Sequence, residues 1–273
     1  MTGLRAVRFA ALIACVCPIS VQAQSNSLYT QSDMLDAPAI ITSLRGNISF
    51  TKEEKKNKDL TPHDIIFPHQ SVFTADKESH AFLVFSNGVA IGVDSESVID
   101  IEHYKQLPFT SKKESQQFEP SVSELRIRMT VGSISVVSDH LSPLSKFTID
   151  LPIGHVRIHS ASAHIHYDET GVRITAYSGS LTYYYPDEKG REFIAEPSSM
   201  RMSRESALLG RHADTITVEE AEEDWNVFTL ATENAGKRVF FKAGGKKAAP
   251  TPVLIVPQGY FKQPESRPYE FIK

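Results

Sequence analysis

Cysteine is nearly missing from this chain: 273 residues contain two, Cys15 and Cys17, and both fall within the first 23. Subtracting that segment from 273 leaves 250 residues with no thiol, so a chain cut there has no disulfide and no Cys-ligated metal. An excess of basic charge is also lacking, with 29 Lys+Arg against 33 Asp+Glu. The segment carries Arg5 and Arg8 and no acid, so the remainder holds 27 basic and 33 acidic side chains, a net charge of −6. That balance excludes the basic face that nucleic-acid binding needs, and nucleic acid is not an expected partner. No stretch approaches the ~20 apolar residues that span a bilayer as a helix, so no transmembrane span is expected once the first segment is gone. Hydrophobic residues make up 41% and charged residues 23%, which argues against wholesale disorder and leaves room for a packed core.

Enzyme signatures are missing too. The chain has no Gly-x-Ser-x-Gly elbow, no His-Glu-x-x-His pair, no phosphate loop and no dinucleotide fingerprint. Ser138-Asp139-His140 holds the residue types of a catalytic triad, but consecutive side chains diverge and cannot form the relay. No catalytic residue and no cofactor is assigned.

What is present begins with an export signal, residues 1–23. Arg5 and Arg8 precede an apolar run from Phe9 to Ile19, and Val21-Gln22-Ala23 supplies a small-residue cleavage site. Cleavage after Ala23 makes the protein periplasmic or secreted. Leu12-Ile13-Ala14-Cys15 offers a competing reading, a lipoprotein anchored through Cys15, at the cost of a very short apolar run.

From Gly46 to Met202 apolar and polar residues alternate and turn residues recur, the pattern of half-buried strands. One phrase returns: a Gly, a polar residue, then two apolar residues separated by one. It occurs at Gly46, Gly132, Gly154 and Gly179, with near relatives at Gly88 and Gly171. The spacing is unequal, which excludes a strict solenoid. Ala81 to Val93 reads as a hairpin with a two-residue type I′ turn at Asn87-Gly88. The charged stretches Thr51–Asp59 and Lys105–Pro120 read as exposed loops. Thr217 and Glu220 form a capping-box pattern that opens an amphipathic helix over 215–236, with Val218, Ala221, Trp225 and Phe228 on one stripe. Glu219, Glu220, Glu222, Glu223 and Asp224 read as a solvated face favoured by the helix dipole. Residues 245–273 read as an extended, Pro-rich tail, in which Val253–Val256 could add to a sheet edge.

The ordered strand phrases resemble the FecR domain of bacterial envelope proteins over roughly Ala39 to Tyr185. The pieces that carry it are Gly46–Phe50, Ser71–Ala75, the hairpin Ser79–Val93, Leu125–Val136, Phe147–Gly154 with Pro152, and Gly171–Leu181. Ser160-Ala161-Ser162-Ala163 stands where the family usually has Gly-Thr. The resemblance implies a mainly β domain over 39–210, a twisted two-sheet or short β-helical stack, followed by the helix and tail. It also implies an envelope interaction or sensing module. The best-known members are anti-sigma regulators with a cytoplasmic sigma-binding segment. Only a handful of residues precede the apolar run here, so the expectation is a non-catalytic exported module whose partner is an envelope protein or a cell-surface polysaccharide. A carbohydrate-active or metal-dependent hydrolase and a structural envelope component are the alternatives.

One polar constellation carries possible chemistry: His155, Arg157 and His159 share a strand face, and so do His164 and His166. Two such strands lying side by side would bring His155, His159, His164 and His166 within reach of a metal such as Zn²⁺. Arg157 between two imidazoles argues against a cation there, and the expectation is an exposed polar face without metal. Tyr183-Tyr184-Tyr185 must alternate, so Tyr184 faces away from its neighbours and part of the triplet packs in the core.

Overall fold

The computed structural model describes residues 34–46, 48–52, 55–68, 72–75, 78–107, 119, 121–138, 141–186, 190–218, 231, 233, 237–242 and 251–257. The expected signal segment lies outside them, as does most of the expected helix. Among the described residues no helix is long and apolar enough to cross a membrane.

The chain is mainly β, as expected, and its strands join in one large mixed sheet that does not close. Four strands form its centre: β10 (Ser123–Val137), β11 (Lys146–Leu151), β12 (Gly154–Tyr167) and β13 (Gly171–Tyr184). β11 lies parallel to the first half of β10, and every other described pairing is antiparallel. The second half of β10 pairs with β12 on one side and with β8 (Ala90–Val93) on the other. Beyond β8 come β7 (His80–Phe85), β2 (Ala39–Arg45) and β5 (Ile65–Ile66); beyond β13 come β15 (Ser198–Ser203) and β16 (Asp214–Ile216). Because strand side chains alternate, the strands present one apolar face, and those faces meet in a single core. Phe85, Ile91, Ile101, Tyr104, Ile127, Phe147, Ile165 and Tyr183 all lie buried in it.

The recurring glycines of the repeated phrase take positive φ, and two of them act inside strands instead of at turns. Gly179, at φ 69°, sits in β13 opposite Ala161, where the register with β12 slips. A β-carbon there would run into the Ser160 carbonyl. Gly132, at φ 103°, lets Ser97 approach closely enough for its Oγ to accept from the Ser133 amide at 2.8 Å and donate to the Ser133 carbonyl at 3.1 Å.

Several expectations change. The hairpin of β7 and β8 forms, but its loop has three residues, Ser86 to Gly88. Phe85 N–H donates to the Val89 carbonyl and Gly88 N–H to the Phe85 carbonyl. Asn87 is absent from the residues with positive φ, so the turn is not type I′. The physical reason is burial: the Asn87 amide donates to Tyr104 Oη, its Nδ2 donates to Ser123 Oγ, and its Oδ1 accepts from Val89 N–H. Within Thr51–Asp59 the described residues are not loop but lie in two antiparallel strands, β3 (Ile48–Lys52) and β4 (Lys55–Asp59). Among the described residues β4 pairs with β3 alone, and a Lys-rich edge strand is how a sheet discourages further pairing, which is why its composition does not read as strand. β9 (Ser97–Gln106) likewise runs through Lys105, the first residue of the second expected loop.

At the C-terminal side, residues 215 and 216 belong to β16, while Ala231 and Glu233 are helical. Ala231 is buried against Phe82 and Val137 on the outside of the sheet. Val253–Val256 forms part of β18 (Thr251–Pro257), which pairs with β17 (Lys237–Lys242) in a separate two-stranded sheet and not with the edge of the large one. The remainder of the expected tail lies outside the described residues.

Gly179→Ala should lower stability by ~2 kcal/mol or more and the melting temperature by about 5 °C, since left-handed strain and a backbone clash add. Gly210 has a similar φ of 63° with open space around it, so Gly210→Ala should cost about half as much. Paired thermal melts of the two variants check this.

Candidate functional site

The outer face of β12 and its neighbours carries the polar side chains that the sequence singles out. All four candidate histidines lie there, but on one strand and not on two adjacent ones: β12 runs unbroken from Gly154 to Tyr167. His155 and His164 are thus about 30 Å apart along it, at ~3.3 Å per residue. The pairing of two strands that would bring them together does not occur, because residues 160–163 continue the strand through a bulge. Among the described residues no group of three or more His, Cys, Asp or Glu side chains is placed to hold a metal.

Each histidine has its own partner. The His155 ring stacks on Tyr184, with centroids 4.7 Å apart and planes 10° from parallel. His159 Nε2 lies 2.9 Å from Thr182 Oγ1; partial burial and the charge of Arg157 both push its pKa down. His164 is 2% exposed, and its Nδ1 lies 3.0 Å from Ser135 Oγ. His166 Nδ1 lies 2.7 Å from Ser133 Oγ, and its Nε2 lies 3.2 Å from Asp168 Oδ2.

Strand register arranges these residues in rows. At the upper end of β12, Ser135, His164, Thr175 and Ser199 stand side by side across four strands, and all four are buried. Thr175 and Ser199 share a 2.8 Å hydrogen bond. The next row outward is Ser133, His166, Arg173, Arg201 and Asp214. Beside it opens a cleft of about 450 Å³. Asp168 closes one side in a tight turn: its Oδ1 accepts from the Thr170 amide at 2.8 Å, the Thr170 hydroxyl at 2.6 Å and the Gly171 amide at 3.2 Å. Partial burial opposes its charge, but these donors and His166 outweigh it and hold the carboxyl at about 2.

At the lower end the face is open. One row runs Arg191, Tyr184, His155, Asp150, Arg128, Asp100; the next runs Phe193, Thr182, Arg157, Thr148, Arg126, His103. Phe193, on β14 (Arg191–Ala195), is 66% exposed. Arg126 is bidentate on Asp150, at 2.5 and 3.1 Å, and Arg128 pairs with Glu102. Burial raises the pKa of Glu102 against the opposing effect of Arg128. These pairs are half-exposed, so each contributes little stability; they set the orientation of the side chains. The Tyr triplet alternates as expected, with Tyr183 and Tyr185 buried and Tyr184 on this outer face. Neither the Ser133–His166–Asp168 contact nor the Arg173–Arg201 pair is visible in the sequence. The serines of Gly132–Val136 and the histidines of His164–His166 share a period of two, but only the register sets them opposite one another.

No family model matches the chain, and no curated protein matches it. Two crystal structures described as "a putative anti-sigma factor from Parabacteroides distasonis" are similar, at 9% sequence identity and TM-scores of 0.38 and 0.36. Each match covers 54% of this chain and 59% of the other, so the chain spans less than two thirds of the solved proteins it resembles.

Asp168→Asn provides a test of the turn. A carboxyl with a depressed folded-state pKa stabilises above its unfolded value near 3.8 and loses that contribution as pH falls toward 2. Because Asp168 is partly exposed, the expected gap to the parent at pH 7 is about 1 kcal/mol. It should narrow below pH 4 and vanish near 2, as read by denaturant melts across that range.

Proposed function

We propose that this chain is an exported, non-catalytic FecR-like module that binds a component of the cell envelope through the open lower end of its outer face. The observation that carries the reading is Phe193, an exposed ring opposite Thr182 and one row from the stacked Tyr184 and His155, on a face otherwise made largely of charged pairs. An apolar anchor within an ordered polar surround is what interaction surfaces use. The FecR-like phrases found in order along 39–185 support the choice of compartment and class, as does the export segment. A mature protein starting at Gln24 fits this reading; a lipid on Cys15 would move the module to a membrane surface.

A hydrolase is the second reading, favoured by one observation: Ser133 Oγ, His166 and Asp168 are hydrogen-bonded in series. Against it, Ser133 lies inside a paired strand, and its own amide is spent on Ser97 Oγ. Amides in a ladder are not free to stabilise an oxyanion.

A pull-down from envelope extract and a glycan array, run beside a general hydrolase panel, separate the readings. Binding should fall at least tenfold in Phe193→Ala and Tyr184→Ala, with melting temperatures within a few degrees of the parent. Turnover in the panel that disappears in Ser133→Ala would replace the binding reading with the hydrolytic one.

A further inference from the structure

We infer that the free edge of β14 takes up an extended segment of a partner protein as an added strand, with an apolar side chain of that segment on Phe193 and a carboxylate on Arg191. This rests on the reading above and narrows it, from an envelope component of any kind to a protein strand.

The backbone of β14 sets the mode. The Gly190 carbonyl accepts from Tyr185 N–H, and Glu196 N–H donates to the Gly179 carbonyl, so the even-numbered residues of β14 turn their peptide groups toward β13. The peptide groups of Arg191, Phe193 and Ala195 therefore point the other way, and among the described residues β14 has no second neighbour there. The Ala195 carbonyl accepts from Ser198 Oγ at 2.6 Å. The other outward amides and carbonyls have no partner among the described residues, and a row of such groups is a template for another strand.

Other edges of this sheet are defended against such pairing. β4 carries Lys55, Lys56 and Lys58; β5 has two residues, and β16 has three and begins with Asp214. β14 has five residues without lysine or proline, and its exposed side chains are Arg191, Phe193 and Ala195.

Those side chains select the occupant. Cross-strand neighbours on one face stand about 5 Å apart, so an added strand lays its side chains directly against Arg191 and Phe193. An apolar side chain there covers the exposed ring. Arg191 has no ion pair among the described residues, and its row continues with Tyr184 and His155, so a carboxylate on the incoming strand complements it and a lysine is repelled. Glu192 faces the other way and is held by Tyr185 and His212. A second copy is the poorer match: β14 paired antiparallel with itself about Phe193 sets each Arg191 against an alanine and leaves it without an acid.

The test is fluorescence anisotropy of short labelled peptides titrated with the mature chain. One probe consists of Glu-Thr-Val-Thr repeats, which as a strand alternate carboxylate and apolar side chain along one face; a second has Lys in place of Glu. The Glu probe should bind saturably and the Lys probe at least tenfold more weakly, and Phe193→Ala should weaken the Glu probe tenfold or more. Ala195→Pro keeps the ring and the arginine and removes an amide that β13 does not use, so it should leave the melting temperature within a few degrees and still cost tenfold in binding. A strand pairs through one edge, so N-methylation of the Thr amides and of the Glu and Val amides, in separate probes, should abolish binding in one and spare it in the other. No saturable binding of the Glu probe, binding unchanged in Ala195→Pro, or indifference to both methylations overturns strand addition. So does a concentration-dependent dimer that is lost in Ala195→Pro, which gives the edge to a second copy. If the glycan array or the envelope pull-down still depends on Phe193 in that event, the broader reading stands without this one; if neither does, both fall.

Discussion

The antiparallel ladder between β12 and β13 governs the rest of the molecule. It joins twelve pairs of residues along two of the longest strands. A slip of one residue would turn Val156, Ile158, Ile165 and Tyr167 outward and drive His155, Arg157, His164 and His166 into the core. The cost of burying those charged and polar groups without partners excludes that alternative. Once the register is set, it places Tyr184 on His155, Thr182 beside His159, and Arg173 beside His166. It also orients β14 and β15, both of which pair with β13. The surface chemistry at both ends of the outer face is thus a by-product of how the inner face packs.

Much of this architecture was legible in the residues. Alternation in Leu125–Val136 and Gly171–Leu181 exposed the long strands, and the recurring glycines of the repeated phrase take positive φ. The hairpin around Asn87-Gly88 was legible in place but not in turn type. Its geometry depends on Tyr104 and Ser123, residues 17 and 36 positions away that no local pattern contains. β4 escaped because its stabilisation comes from backbone pairing at an edge, where composition is free to be charged.

The candidate sites were legible only as residue types. Five polar residues in His155–His166 suggested a cluster in two groups, and alternation within each group held; the bulge between Ile158 and Ser160 is what brings both groups to the same face of one strand. Whether they converge depends on whether the chain turns between His159 and His164. The small residues Ser160-Ala161-Ser162-Ala163 are as compatible with a turn as with a strand. They form a strand because Gly179, across the bulge, admits the close approach of Ser160 and Ala161. The arginine pair across β13 and β15 joins residues 28 positions apart in sequence, a distance at which a single chain offers no pairing signal.

β11, the one parallel neighbour among the described pairings, belongs to a run of strands that lie close together in the chain. β11 returns beside the first half of β10, β12 turns back from β11 through residues 152–153, and β13 turns back again through 168–170. These are short closures. The N-terminal part is different: β1 (Leu35–Asp36) pairs with the end of β9 across a separation of about 70 residues, and β3 reaches β9 through β6 (Val72–Ala75). Loop-closure entropy weighs more heavily on such pairings, and contacts remote in sequence form late. The strands that carry the histidines and arginines therefore belong to the part of the sheet that assembles first, and the N-terminal strands complete it.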